Sequence, residues 1–257
     1  VGVFCYTILM KVIVDNLAVE YRDEGSGQVM LLLHGWQDSL RTFDAITEIL
    51  KDKYRIVRLD MPGFGQTELP KTTWEVQDYV EFVQSFIEKL NLDVSHIIGH
   101  SFGGRVAIKG VATDVFSPKN LILINTAGFT KDKTFRNRIV AELARLIRKP
   151  MVILPSNARN KIRKKFYEKI GSDYHSAGPM REIFVKVINE DLSLCAKSID
   201  VPTLLIWGKN DTATPLTDGK RFNELIEGSK LEVIKDAGHF VHRENPKSVA
   251  KYIEQFV

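Results

Sequence analysis

A serine fenced by glycines, an aspartate beyond a later apolar run and a histidine beyond the last one are the residues whose types and order could do nucleophilic chemistry in this chain. The serine, Ser101, sits inside IIGHSFGGRVAIKG (97–110), between Gly99 and Gly103. Gly-x-Ser-x-Gly after a strand and before a helix makes a turn so tight that the serine is forced into strained backbone angles. Small neighbours two positions to either side relieve the crowding. The plainer reading of the same stretch is a helix start, with Ser101 capping amides and the glycines merely closing the turn. The choice rests on partners, because a serine hydroxyl is a weak nucleophile at neutral pH. It needs a base, and the base needs an orienting carboxylate.

In serine elbows of this kind the acid and then the base follow along the chain, each on a loop after a strand. LLIWGKNDTATP places Asp211 just past the apolar run ending at Gly208, and LEVIKDAGHFVHRENP places His239 just past the run ending near Asp236. Asn125 ends the run after the elbow helix, another position from which an acid can serve, but an amide cannot stabilise an imidazolium as a carboxylate does. Asp200 and Asp236 flank strands and suit turn caps. His242, three residues on, is the main rival to His239; Gly238 before His239 offers a sharp exit from the strand, where a base must be presented. His34 and His100 read as hydrogen-bonded structural histidines.

Acyl transfer also requires donors for a developing oxyanion. The Phe102 amide follows the nucleophile at a helix start, where the first N–H groups have no intrahelical partner. The second donor is expected from the loop after the third strand, HGWQDS, with Trp36 as the candidate amide.

The elements that must position these residues are written in alternation. VMLLLH (29–34), RIVRLD (55–60), SHIIGH (95–100), LILINT (121–126), TLLIWG (203–208) and LEVIKD (231–236) are continuous apolar runs suited to strands covered on both faces. Between them, Leu40, Phe43, Ile46, Ile49 and Leu50 share one helical face, and Val76, Val80, Val83, Ile87 and Leu90 another. The pattern predicts an α/β fold: a mostly parallel twisted sheet with helices on both faces, whose ligands sit beyond the carboxyl ends of the strands.

From Phe129 to Cys195 the alternation breaks into three helical patterns. They are Phe135 to Ile147, Ile162 to Ile170, and Met180, Ile183, Phe184, Val187 and Ile188, the last punctuated by Gly178 and Pro179. This stretch carries a net charge of +8 against −4 for the remainder. The expected organisation is a core of residues 10–128 and 198–257 with an all-helical insertion at 129–197. Residues 1–9 read as a non-native or mis-started extension ahead of Met10.

With 257 residues and 44% hydrophobic content, one large domain is expected, and a formal charge of +4 does not call for nucleic acid. Cys5 and Cys195 are too few for a disulfide scaffold or metal cluster, which fits a reducing, cytoplasmic setting. No uncharged apolar run approaches the roughly 18 residues needed to span a bilayer. The basic residues of the insertion, such as Lys131, Lys133, Arg136 and Arg138, suit a solvated helix face.

Taken together, LLLHGW, RLDMPGFGQTE, GHSFGG, LLIWGKNDTATP and DAGHF occur in the order found in α/β-hydrolase-fold serine hydrolases with a helical cap, which the chain resembles from about Met10 onward. The resemblance implies Ser101 as nucleophile, His239 as general base, Asp211 as its orienting acid, Trp36 and Phe102 as oxyanion amides, and residues 129–197 as the cap. DMPGFGQTE is usually a structural loop in such proteins, so Asp60 is not expected in the chemistry. A serine nucleophile argues against the epoxide- and halide-cleaving members, which use aspartate. The expected substrate is a small-molecule carboxylic ester with a small to medium apolar acyl group, with no cofactor, no metal, no nucleic acid and no stable membrane insertion. Carbon–carbon bond hydrolases, thioesterases and aminopeptidases share the same triad, and some members of the fold act as small-molecule receptors.

Overall fold

The structure is a computed structural model and describes residues 10–130 and 178–257. Residues 1–9, the first two helical patterns of the insertion and its basic residues at 131–165 lie outside the described residues.

Eight strands form one sheet in the order β1-β2-β4-β3-β5-β6-β7-β8. They are β1 (Met10–Val14), β2 (Leu17–Glu24), β3 (Val29–Leu33), β4 (Arg55–Leu59), β5 (Val94–His100), β6 (Asn120–Ile124), β7 (Thr203–Gly208) and β8 (Lys230–Ile234). β2 pairs antiparallel with β1 and β4, and the remaining neighbours are parallel. The alternating segment after Met10 is a hairpin: Asp15 and Asn16 take φ of 47° and 61°, the paired positive values of a two-residue turn matched to strand twist.

β3 and β7 are buried along their whole length, as their apolar runs require. β8 differs from expectation, since it closes the sheet and leaves Lys230 exposed and Leu231 to Ile234 half-buried. An edge strand has a neighbour on one side only, so its apolar residues are incompletely covered.

Helices α1 (Asp44–Leu50), α2 (Val76–Lys89) and α3 (Phe102–Ala112) follow β3, β4 and β5. Further along the chain come α4 (Arg181–Asn189), α5 (Ser193–Lys197), α6 (Leu216–Leu225), α7 (Val241–Glu244) and α8 (Pro246–Phe256), numbered among the described residues. Alternate strand residues, Met30 and Leu32, Ile122 and Ile124, Leu204 and Ile206, pack with Phe43, Ile46, Val241, Val249 and Ile253 from α1, α7, α8 and the turn before α1. Their intervening neighbours are also buried. α2 turns its Tyr79, Val83 and Phe86 inward, while Ile87 and Leu90 are half-buried, so the buried stripe is centred on the aromatics.

The chain divides into two compact units, one of residues 1–129 and 190–257 and one of residues 130–189. Glu190 to Lys197, read from sequence as the end of the insertion, therefore belong with the sheet unit. There Leu192 donates to the Gly128 carbonyl at 2.8 Å, and buried Arg105 of α3 donates to the Glu190 carbonyl at 2.8 Å. In the second unit, Gly178–Met180 form a 3-10 turn ahead of α4, in which Ile183, Phe184 and Val187 are buried and Ile188 is exposed.

Candidate active site

Ser101 stands between β5 and α3 with φ 50° and ψ −109°, a conformation an L-residue adopts only when its surroundings impose it. Its backbone is pinned: the Ser101 N–H donates to Ile124 at 3.1 Å, and its carbonyl accepts from Ala127 at 3.2 Å. The flanking glycines are required by contact. A Cβ on Gly103 would lie 2.0 Å from the Leu33 carbonyl oxygen, and one on Gly99 would lie 2.6 Å from the Gly104 Cα. Close approach of α3 to β3 thus depends on Gly103, and Ser101 is left on the short bridge between strand and helix.

His239 lies beyond β8 and Asp211 beyond β7, on loops that are bonded to one another. Lys209 donates to Ile234 and Asn210 to Ala237, each at 2.9 Å. Gly238 does not take positive φ; the close approach is made at Gly208, where a Cβ would meet the Gly238 carbonyl oxygen at 2.1 Å.

The three side chains meet. His239 Nε2 is 3.1 Å from Ser101 Oγ, and His239 Nδ1 is 2.8 Å from Asp211 Oδ2. With Nδ1–H donating to the carboxylate, Nε2 is left as the acceptor for the serine hydroxyl. The Asp211 carboxylate is buried and crowded with donors. Oδ1 accepts the Ala213 N–H at 2.7 Å and the Thr214 N–H at 3.0 Å. Oδ2 accepts from His239, from the Thr214 hydroxyl at 2.7 Å and from the Asn125 side-chain amide. Burial pushes this carboxyl up, but the hydrogen bond and charge of His239, with the bonds from Thr214 and Asn125, outweigh it and hold Asp211 below the ordinary carboxylate range.

His34, His100 and His242 are structural. His34 donates from Nδ1 to the Gly35 carbonyl at 2.7 Å and accepts the Met61 N–H at Nε2 at 3.0 Å. His100 donates from Nε2 to the His239 carbonyl at 3.0 Å. His242 is fully buried, its Nε2 2.9 Å from the Thr42 hydroxyl, so it faces the core and not Ser101. Asp60 accepts the Leu40 N–H at 2.7 Å and the Gln66 N–H at 2.8 Å, the part of a loop organiser.

Trp36 is on the loop after β3 and Phe102 opens α3; their rings meet edge to face at 5.4 Å, so the loop carrying one candidate amide abuts the helix start carrying the other. Phe64 packs against both rings, at 4.9 and 5.9 Å. Phe240 leaves 37% of its surface exposed beside His239. Sequence reasoning missed Thr214 and weighed Asn125 only as an acid. Among the described residues no group of histidine, cysteine and carboxylate side chains could hold a metal ion, and no helix is long and apolar enough to cross a membrane.

A mostly parallel eight-stranded sheet with serine, histidine and aspartate joined at its carboxyl edge defines the α/β-hydrolase class. The chain belongs to that family: the model of the alpha/beta hydrolase fold matches residues 28–246. It is 28% identical to the mouse monoacylglycerol lipase ABHD6 over 253 residues, covering 89% of this chain and 75% of the relative. It is 25% identical to a 2-hydroxy-6-oxononadienedioate/2-hydroxy-6-oxononatrienedioate hydrolase of Klebsiella pneumoniae, covering 94% and 91%. The solved structure of an esterase from Exiguobacterium antarcticum superposes with a TM-score of 0.75 at 22% identity, covering 97% of this chain and 99% of that one.

Proposed function

We propose that this chain is a serine hydrolase that cleaves carboxylic esters of small to medium apolar acids through an acyl-enzyme. The observation that carries the reading is the unbroken relay from Asp211 Oδ2 through His239 to Ser101 Oγ, with contacts of 2.8 and 3.1 Å. The exposed Phe240 ring beside His239 supports an apolar acyl group, as does the name of the mouse lipase.

In the proposed cycle His239 Nε2 takes the Ser101 proton as Oγ attacks the ester carbonyl carbon. The amides of Trp36 and Phe102 hold the oxyanion. On collapse, the ester C–O bond breaks and the alcohol leaves with the proton from Nε2. Water then attacks the acyl-serine, giving its proton to Nε2, which returns it to Ser101 Oγ as the carboxylic acid departs. Asp211 stays ionised throughout and stabilises the imidazolium.

The test is hydrolysis of p-nitrophenyl esters from acetate to palmitate by wild type and Ser101→Ala, with fluorophosphonate labelling alongside. Multiple turnover that is lost in the variant, with an optimum at short to medium chains, is the expected result. Labelling at Ser101 without ester turnover would move the assignment to another bond, a carbon–carbon bond being the first to try. Absence of both would overturn the enzyme reading in favour of a binding protein.

A further inference from the structure

Asp211 and His239 ride on separate loops, and a residue from a third element reaches both. Asn125 follows β6 directly, is fully buried and takes φ 43°. Its Nδ2 donates to Asp211 Oδ2 and lies 3.4 Å from the carbonyl oxygen of Gly238, the residue before His239. Its Oδ1 faces the N–H of Gly208, at the end of β7, at 3.4 Å. Its backbone is held as firmly, with the N–H on Ile206 and the carbonyl facing the Thr214 hydroxyl, each at 3.0 Å.

The neighbours settle which way this amide points. Asp211 and Gly238 offer acceptors, whereas Gly208 offers a donor, so a flipped amide would set like against like at all three contacts. The same neighbours explain why a neutral amide stands here. A carboxylate would face Asp211 Oδ2 with no donor between them, in a buried place.

We propose that Asn125 is a positioning residue of the catalytic site, setting the direction of Asp211 Oδ2 and its distance from the loop that carries His239. The proposal rests on the reading of Ser101, His239 and Asp211 as a working triad. Oδ1 of Asp211 is anchored by the backbone amides of Ala213 and Thr214, which leaves rotation of the carboxylate about that anchor. The Asn125 bond, together with that of the Thr214 hydroxyl at 2.7 Å, removes that freedom and aims Oδ2 at His239 Nδ1.

The experiment measures the second-order rate of Ser101 phosphonylation by a fluorophosphonate, with the labelled residue mapped by mass spectrometry. The proteins are wild type, Asn125→Ala, Asn125→Asp, Asp211→Ala and the Asn125→Ala/Asp211→Ala pair. Asn125→Ala is expected to slow labelling by about 10- to 100-fold, the scale of a hydrogen bond to a charged group. Asn125→Asp keeps the shape while removing the donor to Asp211 Oδ2; it slows labelling at least as much at pH 8, and circular dichroism of each variant checks that it is folded. The double variant is expected to match Asp211→Ala within about threefold, because Asn125 then has no carboxylate to aim.

A merely structural role predicts that the double variant loses the Asn125→Ala factor a second time, and that result overturns the proposal. Wild-type labelling rates in Asn125→Asp overturn it as well, while leaving the serine-hydrolase reading standing. No labelling of wild type at Ser101 defeats the triad reading, and the proposal falls with it.

Discussion

Replacing Asp211 by asparagine removes one charge at almost constant shape, and the structure dictates how the new amide must sit. In one orientation its oxygen takes the Oδ1 position and keeps the Ala213 and Thr214 N–H groups at 2.7 and 3.0 Å, while its NH2 takes the place of Oδ2. There it meets His239 Nδ1, the Thr214 hydroxyl and the Asn125 amide. The hydroxyl adapts by turning its proton to the Asn125 carbonyl at 3.0 Å, and His239 adapts by moving its proton to Nε2, so one donor–donor conflict remains. In the other orientation the NH2 confronts two backbone N–H groups that cannot reorient, so two conflicts remain. At about 1–3 kcal/mol for each unsatisfied buried donor, the first orientation wins. Its consequence is chemical: Nε2 carries a proton toward Ser101 Oγ and cannot accept one. The expected loss in kcat is about 10⁴-fold, or roughly 5.5 kcal/mol, with a stability cost of about 1–3 kcal/mol from the remaining conflict. Turnover of p-nitrophenyl butyrate, a thermal melt and nitrogen NMR of the His239 ring measure the three quantities. An Asp211→Asn protein with more than a tenth of wild-type kcat, and with the proton still on Nδ1, would refute the reasoning.

Ser101→Gly should abolish turnover and yet raise the denaturant midpoint. Glycine accepts φ 50° without the strain, worth about 1–3 kcal/mol, that serine carries there. Gly103→Ala should do the reverse, lowering the melting temperature and labelling at Ser101 together, because its Cβ would meet the Leu33 and His34 carbonyl oxygens at 2.0 and 2.7 Å. Stability should fall with acid well before the carboxylates titrate. Burial, with the nearby Arg243 and His239 charges, lowers His242 to about 3; burial also lowers His100 and His34 from 6.5, against the Gly35 hydrogen bond in the case of His34. The unfolded chain therefore takes up protons first as pH drops below 6.5. The stability from each neutral ring is complete above that value and is lost toward its lowered one, at about 1.4 kcal/mol per pH unit for each group inside its window. Urea unfolding from pH 8 to 4 measures the slope, and His242→Gln should flatten it by one proton; an unchanged slope would show that His242 is not held neutral.

What could be read from the residues, and what could not, follows one physical line. Continuous apolar runs marked the six strands after the hairpin because burial on both faces favours apolar residues, and β8 is less fully covered because it is an edge. That Ser101, Asp211 and His239 come together was legible because each stands just past a strand end, in an order that the proposed chemistry requires. Asn125 occupies an equivalent place. His100 is in register with Ile124, so Asn125 stands beside Ser101 one strand over, and Ile124 is in register with Ile206, which puts Asn125 beside the strand leading to Asp211. The rule that located the serine thus locates the asparagine too. It lacked a chemical reason, since an amide neither attacks nor titrates. Its part is visible only when the Asp211 and Gly238 loops, 86 and 113 residues further along the chain, are folded against it. Hydrogen bonds of that separation leave no periodicity in a sequence. Polar residues immediately following interior parallel strands are therefore where support for a catalytic side chain should be sought, even when their own chemistry is inert.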